Sequence, residues 1–534
     1  MEGFTAVSDY TLLTGATGLL GEYLMRDLLA DGHRLAVLVR PSRKQTAVER
    51  VESIFQMWEK SAGQLLPRPV CLEGDVTQEE LGLSSRQREW VAANCGNMIH
   101  NAAVLTFHGS DPAGDPWRTN VEGTREVLRA CRELAIPNMH YVSTAYVCGS
   151  RQGLIMEHEL DEGQEFRNDY EQSKFTAESM VREADFFDQL TVYRPAVIAG
   201  DSQTGYTATY HGLYMYLKLM SVLVRNEEPG PDGRIFTPVR IDMNGDELRN
   251  VIPVDWTSQV ICRLFSTPEA HGGTYHLGPQ IPVTPREVIE AGYKFFNSYG
   301  VKFRGSEDVS DVPAGEMEAA AYENMTMYSS YEATDPRFDT TNLLKFTADL
   351  PCPKIDEAML HRFWRYGEKD RWGKRAKPKA SVSLSVEDYL EKMLPAQAAK
   401  GMNGSRNGSS ADAQVLGLEV VGPGGGQWRM VFSGKDSVSV EPGLPLNGAP
   451  LMRISAKDFR ALIEGEVQPA AVHLEESLEG DFPEGIAERV ADALFPTSRE
   501  RKSGNSGKNR NRTSFPGEDR KTTRKSTNPT SADA

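Results

Sequence analysis

Two side chains that can move a proton stand four residues apart at Tyr170 and Lys174, in the stretch NDYEQSKFTAE. Residues at this spacing share one face of a helix. In a cleft, an ammonium group beside a phenol stabilises the phenolate, so Tyr170 could exchange a proton with a substrate oxygen nearer neutral pH. On an exposed helix face the same pair has no chemical role, so the surrounding elements must decide between the two interpretations.

A glycine-rich turn near the N-terminus predicts a dinucleotide site. Gly15, Gly18 and Gly21 are spaced G-x-x-G-x-x-G between an apolar strand at 10–14 and an amphipathic helix. Glycines let the backbone approach a pyrophosphate, and the helix N-terminus supplies N–H donors and a positive dipole. A second strand follows at 35–39, which is the context that distinguishes a dinucleotide motif from a chance match.

The residues after the second strand indicate which dinucleotide would bind. An NAD-selective site places an acidic side chain there to accept from the ribose 2′-hydroxyl. This chain reads LVRPSRKQ, with Arg40 and Arg43 and no Asp or Glu. Guanidinium groups suit a 2′-phosphate, so the sequence favours NADPH over NADH, unless these are ordinary loop cations.

Three further strand ends carry candidate site residues. Asp75 in GDVT could accept from the adenine amine, and the small side chains of Ala102 and Ala103 in HNAA would let the backbone lie against the dinucleotide. The fifth strand ends in the hydroxyl pair Ser143 and Thr144. Each could also be a plain strand end with a turn residue. Repeated strand–turn–helix units predict an α/β, doubly wound Rossmann sheet with its site at the carboxyl edge.

Bulk composition excludes several classes of protein. The chain has 534 residues, 39% hydrophobic and 25% charged, which is typical of a globular protein with more than one domain. A net charge of −16 disfavours nucleic acid as the main partner. Apolar runs shorter than about 20 residues predict no transmembrane segment, and no signal peptide is expected. The six cysteines lack metal-ligand spacing, which favours reduced thiols, no metal site and a cytoplasmic location. The oligomeric state stays open.

Seven stretches together resemble the extended short-chain dehydrogenase/reductase superfamily over residues 8–290. They are TGATGLLG, GDVT, HNAA, NVEGT, YVSTAYV, YEQSK and YRPAVIAGDSQTG. Within the superfamily the chain is most similar to the male-sterility type, which includes fatty acyl-CoA reductases and the thioester-reductase domains of peptide and polyketide synthases. The stretches LVRPSRKQTAVERV, YVSTAYV and GDSQTG carry this finer resemblance.

The resemblance implies a role for each matching residue. Tyr170 matches the catalytic tyrosine, Lys174 would bond the nicotinamide ribose and lower the tyrosine pKa, and Thr144 would polarise the substrate carbonyl, with Ser143 as the alternative. The implied cofactor-binding residues are Gly15, Thr17, Gly18, Leu19, Leu20 and Gly21 at the pyrophosphate, Asp75 and Val76 at the adenine, Asn101, Ala102 and Ala103 on the adenosine side, and Pro195, Ala196 and Val197 beside the nicotinamide.

The sequence also predicts a domain order. Residues 8–290 would form the NAD(P)-binding domain, with substrate elements from about residue 200, and 291–394 the C-terminal part of the reductase. A Gly- and Ser-rich linker at 395–414 would lead to a module at 415–497 that resembles sterol-carrier-protein-like lipid-binding domains. That module could instead serve only for contacts. The basic tail at 498–534 should be disordered.

Together these patterns predict an NADPH-dependent reductase. Hydride would reach the carbonyl of a lipid-like acyl thioester, CoA- or carrier-bound, or of an aldehyde or ketone, with Tyr170 as proton donor. Nothing in the chain resembles adenylation or carrier domains, so freely diffusing substrates stay open. One alternative is an NAD(P)-dependent epimerase, dehydratase or hydroxysteroid-type dehydrogenase. The other is a non-catalytic dinucleotide- or lipid-binding regulator, which would not need Thr144, Tyr170 and Lys174 together.

Overall fold

The structure is a computed structural model that describes most of the chain from Tyr10 to Leu494. The described residues are 10–109, 111, 113–305, 319, 331, 333–375, 386–394, 414–432, 438–445, 449–464, 466–467, 472, 478–480, 490 and 494. The predicted basic tail at 498–534 and nearly all of the predicted linker lie outside these residues.

Seven parallel strands form the main sheet. They are β1 (Tyr10–Thr14), β2 (Arg34–Val39), β3 (Val70–Glu73), β4 (Cys95–His100), β5 (Asn138–Val142), β6 (Gln189–Pro195) and β7 (Thr274–Leu277). Their order across the sheet is β7-β6-β5-β4-β1-β2-β3. The order reverses between β1 and β4, which opens a crevice outside their carboxyl ends. The predicted doubly wound α/β sheet is confirmed.

Eleven helices can be bounded within the described residues. They are α1 (Leu19–Ala30), α2 (Ala47–Ala62), α3 (Ser85–Asn94), α4 (Gly123–Glu133), α5 (Asp169–Glu183), α6 (Leu213–Arg225), α7 (Val254–Phe265), α8 (Pro285–Phe296), α9 (Thr341–Thr347), α10 (Glu357–Lys369) and α11 (Ala456–Glu464). Within the same residues, no helix combines the length and the apolar character needed to cross a bilayer.

Helices cover both faces of the main sheet. On one face α1 packs against α7, with Leu24 and Val260 among the buried side chains. On the other face Val127 of α4 and Val181 of α5 are fully buried. Because both faces are covered, β1 is buried along its whole length.

A smaller subdomain lies beside the carboxyl edge of the sheet. Helices α6, α8 and α10 share a core that includes Leu217, Ala291 and Trp364. Four short parallel strand pairs accompany them, Leu154–Ile155 with Arg337–Phe338, Val197–Ala199 with Val251–Pro253, Ile235–Phe236 with Ser298–Tyr299, and Arg240–Ile241 with Lys302–Phe303. This subdomain covers the region in which we expect substrate elements.

The C-terminal module has a sheet and a core of its own. Its strands are β8 (Gln414–Val421), β9 (Gly426–Phe432), β10 (Val438–Pro442), β11 (Leu451–Ser455) and β12 (Leu478–Glu479), ordered β10-β9-β8-β11-β12. Val386, Leu390 and Leu394 are buried in its core together with Phe459 of α11. Our assignment of 386–394 to the reductase is therefore wrong, because these apolar side chains pack beyond the linker that follows them.

The two parts of the chain meet at the amino ends of β1 and β2. The hydroxyl of Tyr10, the first residue of β1, donates to Gln427 Oε1 (2.9 Å) and accepts from the backbone N–H of Leu444 (2.7 Å). Arg34, the first residue of β2, donates to the Pro445 carbonyl (2.9 Å), and the Trp90 indole donates to that of Pro442 (2.7 Å). The C-terminal module thus docks on the edge of the sheet opposite the carboxyl-end crevice.

Replacing Tyr10 with Phe should loosen this contact. The Leu444 N–H and Gln427 Oε1 would lose a buried partner, which costs about 1–3 kcal/mol. Amide hydrogen exchange in β9 and β10 should therefore accelerate about 5-fold or more, while exchange in β5 stays unchanged. The matched control is Tyr275→Phe, whose hydroxyl bonds the Ala270 carbonyl at the far edge of the sheet. Equal exchange in β9 and β10 for both variants would contradict the described docking.

Candidate active site

One cavity of about 610 Å³ lies at the carboxyl edge of the main sheet. It collects residues that are distant in sequence, because the carboxyl ends of parallel strands meet at one edge. The predicted site residues that line it are Gly18, Leu19, Leu20, Asn101, Ala103, Ser143, Thr144, Tyr170, Lys174, Pro195, Ala196 and Val197. Tyr170 and Lys174 thus face a cleft and not bulk water. The alternative that the pair lies on an exposed helix face is therefore excluded.

The glycine turn is packed too closely for other residues. Gly15 has φ +70°, and a Cβ there would lie 2.7 Å from the backbone nitrogen of Ala102. A Cβ at Gly21 would overlap the Gly15 carbonyl oxygen. Gly18 precedes α1 and has no side chain to cap it, so the first N–H groups of the helix point toward the cavity edge. This cradle fits the pyrophosphate of a dinucleotide.

A buried polar chain fixes the strand ends beneath that turn. The Thr14 hydroxyl bonds His100 Nδ1 (2.8 Å) and accepts from the backbone N–H groups of Asn101 and Ala102 (3.2 Å each). His100 Nε2 in turn bonds the Thr124 hydroxyl (3.1 Å). Burial lowers the pKa of His100 to about 3, and the charge of Lys174 adds to this. His100 is therefore a neutral positioning residue between β1, β4 and α4.

Thr144 and Tyr170 both line the cavity, and the Thr144 hydroxyl lies close enough to act on the Tyr170 phenol. Thr144 follows β5 and is almost fully buried, and Tyr170 stands in the first turn of α5, which Asn168 caps by accepting from the Glu171 N–H (3.0 Å). Ser143, the alternative, instead faces the carboxylate of Glu178. Burial raises the pKa of Tyr170 to about 12, although the nearby Thr144 hydroxyl opposes the shift. At neutral pH the phenol therefore keeps its proton.

Lys174 is buried behind the tyrosine. Its Nζ donates to the Val142 carbonyl (2.8 Å) and to the Tyr141 hydroxyl (3.1 Å), and lies 4.6 Å from the Tyr141 ring centre. Burial lowers the pKa of Lys174 to about 7, against the attraction of Glu178. The amine is thus directed to β5, and burial is the largest influence on the pKa of Tyr170. The lowering of that pKa by Lys174 stays a prediction.

A second hollow of about 950 Å³, beyond the glycine turn, holds the adenosine-side candidates Arg40 and Asp75. Their side chains lie 3.7 Å apart, and Asp75 Oδ1 accepts from the N–H and hydroxyl of Thr77 (3.0 Å each). Two candidates do not line the hollow: Arg43 is exposed, although its neighbour Ser42 is a lining residue, and Val76 is buried against Gly123.

Sequence reasoning missed Arg50, which lies in this hollow on α2. Its guanidinium donates to the Thr17 hydroxyl (2.7 Å) and to the Arg40 carbonyl (2.5 Å). Burial, and then the positive charge of Arg40, lower the pKa of Arg50. Arg40 and Arg50 line this hollow together with Glu73 and Asp75. Arg50 is the fourth residue of α2, and it could be placed there only once α2 was folded back on β2.

Asn120 and Tyr331 are two further residues that the sequence did not assign. The Asn120 side chain connects the loop after β4 to α5. Its amide oxygen accepts from the Val104 N–H (2.8 Å), and its amide nitrogen donates to the Val104 carbonyl (3.1 Å) and to the Ser173 hydroxyl (3.0 Å). The Tyr331 hydroxyl donates to the Glu171 carboxylate (2.9 Å) and accepts from Asn168 (2.7 Å). Both contacts join segments far apart in sequence, so no local pattern signals them.

Metal chemistry finds no support in the described part of the chain, which contains no cluster of three His, Cys, Asp or Glu side chains able to hold an ion. The doubly wound sheet, the glycine cradle and the placement of Thr144, Tyr170 and Lys174 at one cavity agree with the resemblance to short-chain dehydrogenases/reductases. The sequence profile of the male sterility protein family matches residues 13–261, a little under half of the chain.

Known proteins with similar sequences agree with this class. The chain is 28% identical over 396 residues to a component of the linear gramicidin synthase from Brevibacillus parabrevis, which covers 68% of this chain and 7% of that protein. It is 28% identical over 282 residues to the L-2-aminoadipate reductase large subunit of Penicillium chrysogenum, covering 49% of this chain and 18% of that protein. The chain thus spans only a small part of these relatives.

A solved structure agrees as well. The terminal R domain from the myxalamid PKS-NRPS biosynthetic pathway superposes with a TM-score of 0.56 and 28% identity, over 69% of this chain and 93% of that domain. The part of this chain that is covered has about the size of the main sheet and its subdomain together. These comparisons do not test the resemblance of the C-terminal module to sterol carriers.

The buried Lys174 should make stability depend on pH. Its pKa is about 7 in the folded protein against an ordinary 10.5, so between these values the unfolded chain binds a proton that the native chain lacks. The free energy of unfolding should then rise with pH above 7, by up to about 1.4 kcal/mol per pH unit. Lys174→Met should lose this rise when wild type and variant are unfolded with urea at pH 7 and pH 9. Parallel changes in both proteins would show that Lys174 is charged when folded.

Proposed function

We propose that the protein is an NADPH-dependent reductase that acts on the carbonyl of an acyl thioester, with aldehydes or ketones as related substrates. The observation that carries the proposal is the placement of Thr144 and Tyr170 together inside a mostly apolar cavity that opens beside the glycine cradle. A bound nicotinamide coenzyme would supply hydride at this place. The names of the relatives, which include a peptide synthase component and a reductase, support a thioester or carboxyl-derived substrate.

The chain's own groups would stabilise the oxygen of the substrate. As that oxygen gains negative charge, the Thr144 and Tyr170 hydroxyls donate to it in a cavity that excludes most water. Tyr170 then transfers its proton, because the pKa of the alkoxide exceeds even the raised pKa of the phenol. With a thioester, addition of hydride and a proton gives a hemithioacetal, which breaks its C–S bond to yield an aldehyde and a thiol.

Lys174 would act as a positioning residue. When its amine is charged, it can hydrogen-bond the ribose of the coenzyme while it keeps its bond to the Val142 carbonyl. Pro195, Ala196 and Val197 would pack beside the nicotinamide, since all three line the cavity next to Thr144. The glycine turn and the first turn of α1 would hold the pyrophosphate, with Thr17 and Leu19 on its flanks.

The preference for NADPH rests on Arg40 and Arg50. Their charges face one hollow, and no acidic residue follows β2 to accept from a free ribose 2′-hydroxyl. An added 2′-phosphate would relieve the repulsion that lowers the Arg50 pKa. Asp75, already bonded to Thr77, keeps its second oxygen for Arg40 or for the adenine amine.

The C-terminal module keeps its interpretation as a sterol-carrier-like lipid-binding domain only as a proposal. Its sheet-and-helix architecture and apolar core are compatible with one. It contacts the amino ends of β1 and β2, so any lipid it held would have to leave it before reaching the cavity at the opposite edge.

Tyr170→Phe should remove most of the activity. Loss of the proton donor should lower kcat with an acyl-CoA by about 10²-fold or more, while Kd for NADPH changes little. NADPH oxidation at 340 nm and fluorescence titration of NADPH measure the two quantities. Tyr193→Phe is the matched control, since that buried hydroxyl bonds His140 outside the cavity and should leave kcat near wild type. Retained activity in Tyr170→Phe, or equal loss in both variants, would refute the assigned role.

Arg50→Gln should reduce the preference for NADPH over NADH, measured as the ratio of kcat/KM values, by about 10-fold or more, because a charge-assisted contact to the phosphate is lost. KM for NADH should be nearly unchanged. Arg43→Gln provides the control: as an exposed side chain outside the hollow, its loss should alter the ratio by about 2-fold at most. If Arg43→Gln lowered this ratio more than Arg50→Gln did, the 2′-phosphate would be bound by the loop after β2 and not by Arg50.

A further inference from the structure

We propose that the inner part of the cavity holds an unbranched aliphatic acyl chain and that Met220, seated against Gly292, sets the longest chain that fits. The identity of the group that carries the acyl chain, a thioester, rests on the proposed reductase function. The inference concerns the distal wall of the cavity, which neither the glycine cradle nor the Thr144–Tyr170 pair uses.

The distal wall is aliphatic. Beyond the catalytic hydroxyls the cavity continues between α6 and α8, lined there by Leu219, Met220, Leu223, Val239, Val288 and Ile289. Such a wall offers an occupant burial of methylene groups and few hydrogen bonds. Peptides and sugars would leave polar groups unpaired against it, which favours a hydrocarbon chain.

Charged groups on the wall are bonded to the protein. Apart from Lys174, the charged side chains among the described lining residues are Arg249 and Asp335. Arg249 donates to the carbonyls of Leu248 (3.0 Å) and Ala333 (2.7 Å). Asp335 accepts from the Tyr146 hydroxyl (2.8 Å) and the Asn250 N–H (2.9 Å). Because these contacts occupy both groups, neither one makes the wall a site for an ionic substrate.

Some side chains of helix α6 pack in the core of the subdomain, and others line the cavity. Leu217 and Ser221 face the core shared with α10, where Ser221 bonds Glu368 (3.2 Å). Leu219 and Leu223 line the cavity. Met220 belongs to both sets, since it is buried in the core and also reaches the cavity. It is the flexible member of the wall, because an unbranched thioether adapts to irregular space.

The tip of Met220 occupies the space that Gly292 leaves empty. A Cβ at position 292 in α8 would overlap the Met220 sulfur and terminal methyl, and would lie 3.3 Å from the Trp364 ring. Trp364 cannot give way, because it is fully buried and its indole donates to the Leu217 carbonyl (2.9 Å). Met220 would therefore have to move, and the cavity is the open direction.

A pair of substitutions tests this arrangement. Gly292→Ala should push the Met220 tip into the cavity and lower kcat/KM for dodecanoyl-CoA by about 10-fold or more, with butanoyl-CoA changed by about 2-fold at most. In the double variant Met220→Ala/Gly292→Ala the obstruction is gone, so activity with dodecanoyl-CoA should return to within a few-fold of wild type. The control is Gly278→Ala, where a Cβ would meet Phe338 at an ordinary 3.7 Å away from the cavity lining.

A binding assay separates this inference from the reductase proposal. Displacement of cis-parinaric acid by dodecanoic acid should weaken about 10-fold in Gly292→Ala and recover in the double variant, whether or not any thioester is reduced. If no variant oxidises NADPH with any thioester but displacement follows this pattern, the chain site stands and the reductase proposal falls. If Gly292→Ala lowers activity equally at both chain lengths, or the double variant shows no recovery, the role of Met220 is overturned while the reductase proposal stands.

Discussion

The pair of hydroxyls of Thr144 and Tyr170 at one cavity is the feature on which the rest of the account depends. It lies in a mostly apolar cavity, where burial disfavours a charged phenolate. Both hydroxyls therefore keep their protons at neutral pH and can donate to an oxygen that gains negative charge. The same burial brings the pKa of Lys174 to about 7. The site thus combines two neutral hydroxyls with an amine whose charge changes near neutral pH.

The order of the strands explains how these groups meet. Reversal of the strand order at β1 and β4 leaves space for a dinucleotide, and the Thr14–His100–Thr124 chain holds the backbone on either side of it. Thr144 and Tyr170 come from β5 and the helix after it, so their separation is set by how α5 packs on the sheet. The subdomain built on α6, α8 and α10 then closes the cavity with aliphatic side chains and leaves the C-terminal module at the opposite edge.

Local sequence patterns were sufficient to predict the fold and the candidate residues at its carboxyl edge. They could not predict contacts between segments that are distant in sequence. The glycine turn, β1 and the Tyr170–Lys174 pair depend on neighbouring residues, so their sequences were sufficient. Arg50 was missed and Arg43 preferred because the fold of α2 onto β2, and not distance along the chain, decides which guanidinium faces the hollow. Burial, the largest influence on the pKa of Tyr170, has no local signature in the sequence.

A crystal structure with NADP⁺ bound tests the central claim most directly. The account predicts that the pyrophosphate lies on the turn from Gly15 to Gly21 and the 2′-phosphate beside Arg50. The nicotinamide should lie against Pro195 and Val197, with its hydride-accepting carbon facing the Thr144 and Tyr170 hydroxyls. A coenzyme whose nicotinamide faces away from this pair, or that binds outside the carboxyl edge of the sheet, would contradict the account.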